Sequence, residues 1–386
     1  MLKVAIMGHG TVGSGVYDVF AQNASQITRA VGEQVEVKYV LDLRDFSNLP
    51  YADKFVTDFA VIENDPEICV VAEVMGGVGA AYEFTKRCLK AGKSVCTSNK
   101  ELVATHGEEL LALAKEHNVN YLFEASVGGG IPLIRPMMQC LAANQIEEIC
   151  GILNGTTNYI LSQMIHNGVA FDAALKQAQQ MGYAENDPTA DIDGHDACRK
   201  ICILSDLAFG DKIDPNAVSC QGIRGITLGD VAAADELGYV IKLIGRAKRT
   251  ESGKIFAFVA PHLVPKTNPL ACVEDVFNGI LVTGNMVGEV MFYGQGAGKH
   301  ATASAVVADM MDAIAHREKR RPVEWGDGSQ HLLLPLDELE SAWYVRGEVP
   351  IELTTHAAQG AAITIPMTAA ALREKLPHAE GAMRVL

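Results

Sequence analysis

The sequence predicts an α/β fold in which a doubly wound parallel sheet is joined to a second, α+β domain. Short apolar runs alternate with helical segments over the first third of the chain, which is typical of a parallel sheet. A glycine-rich turn directly follows the first of these runs. After residue 130 the alternation stops, and longer helices mixed with strands indicate a separate α+β domain.

The elements of the first domain follow in regular order. Each predicted strand is a short apolar run that reads as buried on both faces, and these runs lie at 2–7, 35–43, 69–74, 94–97 and 120–124. Predicted helices lie between them at 11–22, 24–31, 82–91 and 108–117. A later apolar helix, at about 300–318, is expected to return to this sheet. The predicted first domain is therefore residues 1–130 completed by that helix.

The predicted second domain covers residues 131–298. Its helices are expected at 131–143, 159–167, 171–181 and 193–209, where Gly182 and Gly210 follow the last two. Its strands are expected at 146–153, 239–245, 255–264 and 279–283. Residues 322–386 are predicted to form a short C-terminal β/α appendage.

Composition limits the class of protein. The 386 residues are 48% hydrophobic and 20% charged, a globular balance with enough apolar mass for a large core. A formal charge of −15 argues against a nucleic-acid binder, because such proteins present basic surfaces to phosphate. No apolar run is long enough to span a membrane, and Met1-Leu2-Lys3 leads into a strand rather than a secretory signal. Nine scattered cysteines without a C-x-x-C pair fit a reducing compartment, so we expect a cytoplasmic location.

The segment Gly8-His9-Gly10-Thr11-Val12-Gly13 fits the pattern G-x-G-x-x-G. It follows a predicted strand and opens a predicted helix, which is the context of a dinucleotide-binding turn. The three glycines would permit the tight turn, the close approach of a pyrophosphate and the packing of helix on strand. The sequence therefore predicts a Rossmann-type NAD(P) site that includes Thr11 and Val12; a purely structural glycine turn is the alternative.

The end of the second strand should contact the adenosine ribose. Here the chain reads Asp42-Leu43-Arg44-Asp45. An acidic residue at this place favours the free 2′-hydroxyl of NAD, and an arginine accommodates the 2′-phosphate of NADP. Arg44 is either a phosphate ligand or a solvated surface charge. We expect NADP to be preferred and NAD to be accepted as well.

A second motif combines an acidic loop with a lysine. On a helix, Asp196 and Lys200 are four residues apart and share a face. Such a pair alone is usually a solvated surface pair. Before it, Glu185, Asp187 and Asp191 crowd a loop that contains a proline, and this crowding favours a cation or a cationic substrate. A turn-and-cap segment is the alternative.

A third motif, Asn154-Gly155-Thr156-Thr157-Asn158-Tyr159, lies between a predicted strand and a predicted helix. It is rich in residues that cap helices, and such a turn can hold a carboxylate. As an isolated pattern it specifies no particular ligand.

Taken together, these segments resemble the homoserine dehydrogenases from residue 1 to about 320. The most specific pieces are the 154–159 motif and the run from Gly182 to Lys200. Three further pieces support the resemblance: Thr97-Ser98-Asn99-Lys100, the run from Glu124 to Pro132, and Gly294-Gln295-Gly296-Ala297-Gly298.

The resemblance implies a reversible, NAD(P)H-dependent reduction of L-aspartate 4-semialdehyde to L-homoserine, a step in the biosynthesis of threonine, methionine and isoleucine. It implies Lys200 as the proton donor, Asp196 as its positioning partner or a substrate ligand, and Lys100 between cofactor and substrate. The chemistry suits these residues, because hydride attack on an aldehyde places negative charge on oxygen, and an ammonium stabilises that charge and delivers a proton.

The resemblance also implies the ligand contacts. The cofactor would be held by the glycine turn and Arg44 together with Thr97, Ser98, Lys100 and Gly298. The substrate would be held by Gly155, Thr156, Tyr183, Glu185, Asp191 and Asp196. A monovalent cation, usually sodium in this family, would lie at Glu124 and the carbonyls of Val127, Gly129 and Ile131, an oxygen set that suits a hard cation; a glycine-rich domain crossing is the alternative. A homodimer that pairs through the second domain is expected.

Two segments depart from the family pattern. Lys299-His300-Ala301-Thr302 stands where relatives often carry Pro-Thr, which affects the cofactor contact near Gly298. Ser341 to Arg346 resembles the opening strand of a regulatory ACT domain, but the residues after it are too few for a standard copy, so a truncated module is expected and inhibition by threonine stays open. The alternative functions are an oxidoreductase that acts on sugars or cyclitols and a redox-sensing regulator, for which the sequence has no DNA-binding element.

Overall fold

The computed structural model describes residues 1–379 and 381–386, which form two compact units. The first unit contains Met1–Cys140 and Gln295–Asp327, and the second contains Leu141–Gly294 and Gly328–Leu386. A six-stranded parallel sheet and a ten-stranded mixed sheet, both with helices, confirm the predicted fold class. In the described ranges, no helix has the length and apolar character needed to cross a bilayer.

The described residues contain sixteen strands, numbered along the chain. They are β1 (Leu2–Met7), β2 (Val35–Leu41), β3 (Phe55–Val56), β4 (Ile68–Glu73), β5 (Ser94–Thr97), β6 (Tyr121–Leu122), β7 (Ile146–Ile152), β8 (Ser219–Cys220), β9 (Tyr239–Arg249), β10 (Ile255–Pro265), β11 (Phe277–Gly284), β12 (Gly288–Gln295), β13 (Trp343–Arg346), β14 (Thr354–Ala358), β15 (Ala361–Thr364) and β16 (Gly381–Val385).

Thirteen α-helices lie in the same described residues. They are α1 (Thr11–Gln22), α2 (Ala24–Val31), α3 (Ala60–Glu63), α4 (Gly79–Lys90), α5 (Lys100–Glu116), α6 (Ile134–Gln139), α7 (Gly155–Asn167), α8 (Phe171–Gln180), α9 (Thr189–Ile192), α10 (His195–Phe209), α11 (Leu228–Glu236), α12 (Lys299–Ala315) and α13 (Ala369–Lys375).

The first sheet has the strand order β3-β2-β1-β4-β5-β6, and each strand is parallel to its neighbours. The order reverses direction at β1, which pairs with β2 on one side and with β4 on the other. In open α/β sheets ligands bind outside the carboxyl ends of the strands at such a switch point. The glycine-rich turn, which follows β1, therefore lies at the expected binding edge.

The core of the first unit holds α12 against the sheet. Val4 and Ile6 of β1 are fully buried together with Val306 and Met310 of α12. Gly15 of α1 marks how closely the two helices approach, because a Cβ there would lie 2.7 Å from the carbonyl oxygen of Lys299. The apolar helix predicted at about 300–318 is α12, which begins at Lys299 and ends at Ala315.

The helix predicted over 131–143 is wrong in extent, because α6 covers only Ile134–Gln139. Gly128 and Gly129 have φ angles of +74° and +56°, which belong to a turn rather than a helix. The helix begins where the carboxylate of Glu124 accepts hydrogen bonds from the N–H groups of Leu133 and Ile134, both 2.6 Å long. A side chain distant in the sequence thus determines the start of the helix.

The second unit is organised around the antiparallel pair β9–β10, to which β7 and β11 are added on one side. On the other side β16 pairs in parallel with β10 and in antiparallel with β13, and β15 and β14 follow. The strands β13 to β16 therefore continue the large sheet, and α13 packs beside them. The domain bounds 1–130 with the helix at about 300–318, 131–298 and 322–386 stay predictions.

The candidate active site

The turn after β1 has the geometry of a dinucleotide-binding turn. Gly8 has a φ of +98°, and its N–H donates to the carbonyl of Leu41 at 2.8 Å. A Cβ at Gly13 would lie 1.9 Å from the carbonyl oxygen of Gly8, so no larger residue fits this helix–strand contact. At Gly10, no described atom outside Gly10 and its two chain neighbours lies within 4 Å of such a Cβ, which leaves space for a phosphate at the N-terminus of α1.

This arrangement fits the pyrophosphate of a dinucleotide. The residues Gly8, Gly10, Thr11, Val12 and Gly13, predicted from the sequence, form this turn and the first residues of α1. Free N–H groups at the start of a helix are suitable donors to an anion.

Asp42 and Arg44, the acidic and basic residues predicted to lie near the ribose, are hydrogen-bonded to each other. Arg44 donates through Nε to Oδ1 of Asp42 at 3.0 Å and through Nη2 to Oδ2 at 2.8 Å. The same carboxylate accepts from the backbone N–H of His9 at 2.7 Å, which ties it to the glycine turn. The Arg44 guanidinium holds the pKa of the Asp42 carboxyl well below its usual range.

Glu73 and Thr97 close the neighbouring strands β4 and β5. The buried Glu73 carboxylate accepts from the Thr97 hydroxyl at 2.6 Å and from the N–H of Met75 at 2.8 Å. Burial raises the pKa of Glu73 to about 7. Sequence reasoning assigned no role to Glu73, although an acidic residue at the end of an otherwise apolar strand was the available signal.

Asn99 extends this network to the start of α5. Its N–H donates to the hydroxyl oxygen of Thr97 at 2.9 Å, and its side-chain amide donates to the carbonyl of Gly77 at 2.7 Å. Its side-chain oxygen caps α5 by accepting from the N–H of Leu102 at 3.1 Å. Ser98 and Lys100, both predicted from the sequence, flank this residue, so the network fixes the backbone around them.

The segment predicted as a cation site is a tight turn beside α6. Oε2 of Glu124 accepts from the N–H of Arg135 at 2.7 Å, in addition to the two bonds on Oε1 described above. The turn that contains Val127, Gly129 and Ile131 is closed by a bond from the N–H of Ile131 to the carbonyl of Gly128, 2.9 Å long. The Glu124 carboxylate thus caps a helix, a role that sequence reasoning missed.

No group of three or more His, Cys, Asp or Glu side chains in residues 1–379 and 381–386 is arranged to hold a metal ion. A cation beside Glu124 would therefore depend on backbone carbonyls. Oxygen ligands of that kind suit a hard cation such as sodium.

Gly298 lies at the N-terminus of α12, where it has a φ of +130°. Lys299 and His300, the first two residues of the segment that departs from the family pattern, follow it and face one carboxylate of α1. Nζ of Lys299 lies 2.7 Å and Nε2 of His300 lies 3.3 Å from Oδ2 of Asp18. The departure thus supplies an ion pair between α12 and α1.

In the second unit, Lys200 and Asp196 form a buried pair on α10. Nζ of Lys200 donates to Oδ2 of Asp196 at 2.7 Å and to the carbonyl of Leu153 at 2.7 Å. The exposed fraction is 8% for Lys200 and 4% for Asp196. The alternative of a solvated surface pair is therefore wrong.

The 154–159 motif joins this pair to the acidic loop. Asn154 caps α7 by accepting from the N–H of Thr157 at 2.9 Å. Its amide nitrogen donates to Oδ1 of Asp191 and to Oδ2 of Asp196, each at 2.8 Å. The structure thus brings Asn154, Asp191, Asp196 and Lys200 together. Sequence reasoning quoted Asn154 as part of the motif but gave it no role.

Two further predicted residues meet at the start of α7. Thr156 donates from its hydroxyl to the carbonyl of Tyr183 at 2.7 Å. Gly155 lies under a neighbouring loop, because a Cβ there would be 2.6 Å from the carbonyl oxygen of Val276. The helix N-terminus that could receive a carboxylate is therefore held between two loops.

Glu185 is exposed in the loop between α8 and α9. Gln179 fixes the backbone of this loop, because its side-chain amide donates to the carbonyl of Glu185 at 3.1 Å. The carboxylate of Asp187 accepts a hydrogen bond from the N–H of Thr189 at 3.1 Å and so stabilises the turn. The loop therefore presents Glu185 at the surface, while Asp191 is tied to Asn154.

Comparisons with known proteins agree on one family. A family model described as homoserine dehydrogenase matches residues 132–311, and one described as homoserine dehydrogenase, NAD binding domain, matches residues 8–124. A homoserine dehydrogenase of Synechocystis sp. is 45% identical over 322 residues, which are 81% of this chain and 73% of that protein. One of Neisseria gonorrhoeae is 41% identical over 354 residues, which are 89% of this chain and 81% of that protein.

Solved structures give the same result. The crystal structure of a homoserine dehydrogenase from Thiobacillus denitrificans is 35% identical, with a TM-score of 0.89 over 100% of this chain and 98% of that chain. A hyperthermophilic archaeal homoserine dehydrogenase, solved in complex with NADPH, is 29% identical, with a TM-score of 0.69 over 81% of this chain and 97% of that chain.

Proposed function

This chain belongs to the homoserine dehydrogenase family of NAD(P)-dependent oxidoreductases, and we propose that Lys200 is the proton donor when it reduces L-aspartate 4-semialdehyde to L-homoserine. The observation that carries this proposal is the buried pair of Lys200 and Asp196, whose amine and carboxylate lie 2.7 Å apart. A buried ammonium is an effective acid for an oxygen on which negative charge develops.

The residues around Lys200 supply orientation and charge. Asp196 places a negative charge 2.7 Å from the amine and holds the amine in position. The carbonyl of Leu153 accepts a second bond from the amine and restricts its direction. When bound, the nicotinamide cofactor supplies the hydride. Lys200 delivers the proton to the aldehyde oxygen, and in the oxidation of homoserine the same amine receives it.

The ammonium and carboxylate groups of the substrate are proposed to bind at different places, the first at acidic side chains and the second at a helix N-terminus. Glu185 and Asp191 bind its ammonium group through charge attraction. Gly155 and Thr156, at the N-terminus of α7, receive its carboxylate, and Tyr183 lines the same pocket. This division of opposite charges selects a zwitterion over a sugar or a cyclitol.

The cofactor is proposed to be NADP in preference to NAD. Arg44 is a suitable ligand for a 2′-phosphate once it turns from Asp42, and Asp42 can accept from the free 2′-hydroxyl of NAD. Thr97, Ser98, Lys100 and Gly298 complete the proposed contacts, and Lys100 adds a positive charge. The archaeal relative solved with NADPH supports this assignment.

A monovalent cation, sodium for preference, is proposed beside Glu124 at the carbonyls of Val127, Gly129 and Ile131. The turn that carries these carbonyls is compact, because Gly128 and Gly129 have positive φ angles. The enzyme is further proposed to be a cytoplasmic homodimer that pairs through the second unit and acts on small molecules alone.

The proposed function is tested by a spectrophotometric assay of the purified protein with L-homoserine and either NADP or NAD. We expect reduction of the coenzyme with homoserine and none with myo-inositol, an uncharged cyclitol. Replacing sodium by choline should lower the rate, and an unchanged rate would overturn the proposed cation site. Activity on the cyclitol but not on homoserine would overturn the proposal.

A further inference from the structure

We propose that Asn154 is a positioning residue that holds the carboxylates of Asp191 and Asp196 in register for the reaction. This inference rests on the proposed function, because Asp191 is taken to bind the substrate and Asp196 to orient Lys200. The role falls to a residue that neither touches the substrate nor exchanges a proton.

The contacts of the Asn154 side chain use both ends of its amide. The nitrogen donates to Oδ1 of Asp191 and to Oδ2 of Asp196, each at 2.8 Å. The oxygen accepts from the N–H and the hydroxyl of Thr157, at 2.9 and 3.1 Å. An asparagine amide has two N–H donors, so one nitrogen can serve both carboxylates.

The cap on α7 determines which end of the amide faces the acids. Because the oxygen is held by the first turn of the helix, the nitrogen must point toward Asp191 and Asp196. The reverse orientation would place an acceptor against two carboxylates and leave the Thr157 N–H without its cap. The helix N-terminus therefore fixes the donor in space.

Two carboxylates at one nitrogen repel each other, and the site is buried, since Asn154 is 5% exposed and Asp196 is 4% exposed. A neutral donor between them offsets this repulsion without adding a charge that would compete with Lys200 or with the substrate ammonium. A lysine or arginine in this position would neutralise the charge that both of those cations require.

Asn154 is also coupled to the proton donor. Oδ2 of Asp196 accepts from Asn154 and from Lys200, and the carbonyl of the preceding residue, Leu153, accepts from the same amine. Residues 153 and 154 therefore contact both members of the buried pair. A displacement of Asn154 should affect substrate binding and turnover together.

The test compares three substitutions. Asn154→Ser keeps an oxygen that can cap α7. It lacks the amide nitrogen that donates to both carboxylates while the oxygen caps the helix. Asn154→Ala removes the cap as well, and Asn154→Asp keeps the shape but replaces the donor by a third carboxylate. We expect the Ser variant to melt close to wild type, to raise the KM for homoserine about tenfold and to lower kcat by a similar factor.

The KM for the coenzyme should stay within about twofold of wild type, since the coenzyme turn lies in the other unit. The Ala variant should show the same kinetic loss as Ser but a lower melting temperature, and the Asp variant the largest kinetic loss. Asn268→Ser is the matched control, because Asn268 also caps a helical turn in the second unit, by accepting from Leu270 at 2.9 Å.

Wild-type kinetics for Asn154→Ser would overturn the inference. A loss of activity in the Ala variant alone would also overturn it, because the lower stability of that variant would then explain the loss. Wild-type enzyme is assayed in parallel. Inactive wild type with homoserine would instead overturn the proposed function, so the two failures are distinguishable.

Discussion

Lys200 and Asp196, one helical turn apart on α10, form a 2.7 Å ion pair that is almost fully buried. Taking two charges out of water costs free energy that a surface pair would not incur. Two further bonds compensate for this cost: the amine donates to the carbonyl of Leu153, and the carboxylate accepts from the amide of Asn154. A costly arrangement of this kind is typical of a functional site.

Lys200→Ala should lower kcat about 100- to 1000-fold, because the lost interaction forms mainly as charge develops on the substrate oxygen. Binding of NADPH, followed by its fluorescence, should persist within about threefold, since the glycine turn belongs to the other unit. Lys266→Ala removes an exposed lysine of the second unit and serves as control. Near-normal turnover of the Lys200 variant would show that the role assigned to this amine is wrong.

Glu185→Gln should raise the KM for homoserine about tenfold while kcat changes little, because a neutral amide attracts an ammonium group less than a carboxylate does. Steady-state kinetics with homoserine as the varied substrate measure this. Glu251→Gln, at another exposed position of the same unit, should leave both constants unchanged. If KM is the same in both variants, Glu185 does not bind the amino group.

Arg44→Ala should raise the KM for NADPH about tenfold and that for NADH by less than about threefold, since only NADPH carries the 2′-phosphate. The guanidinium is paired with Asp42 and exposed, so its removal should cost little stability. Kinetics with the two coenzymes, together with a thermal melt, test this. Equal losses with both coenzymes would show that Arg44 does not distinguish them.

Glu73→Gln should make the pH dependence of stability flatter. The pKa of Glu73 is raised by burial from 4.5 to about 7. Between these values the folded chain keeps a proton that the unfolded chain has released, so the free energy of unfolding falls as pH rises. The contribution is on the order of 3 kcal/mol across this range.

The measurement for Glu73 is chemical denaturation at pH 5 and pH 8. The Gln variant should gain stability over wild type at pH 8 relative to pH 5, because it has no carboxylate to ionise. Glu251→Gln should show no such difference between the two pH values. If the Gln variant is destabilised by the same amount at pH 5 and at pH 8, the protonation of Glu73 does not differ between the folded and the unfolded chain.

The parallel sheet was predictable because its strands are short apolar runs with turns at their ends. The two-residue strand β3 and the short helix α3 were not assigned, since so few residues produce no periodicity. The helix α11 was also missed, although Thr227 and Asp230 form a capping box that could have indicated its start. The edge strand β12 is mostly half-buried or exposed, so its apolar pattern is weak.

In the candidate site, too, some contacts could be predicted from the sequence and others could not. Lys200 and Asp196 could be paired from their spacing alone, because a helix places residues four apart on one face. The bridge from Asn154 to Asp191 and Asp196 joins residues about forty positions apart, and nothing in their spacing predicts it. The same holds for Glu124, whose binding to the N–H groups of residues 133–135 required the turn at Gly128 and Gly129.

The place of β16 between β10 and β13 has a consequence for biosynthesis. His262 and Leu263 pair with Arg384 and Val385, which the ribosome adds long after β10 has emerged. Until then the part of β10 that carries these two residues stays unpaired on this side and open to intermolecular pairing, the condition under which nascent chains aggregate. Chaperone demand and expression yield should therefore respond to changes in these late residues, although they lie outside the proposed chemistry.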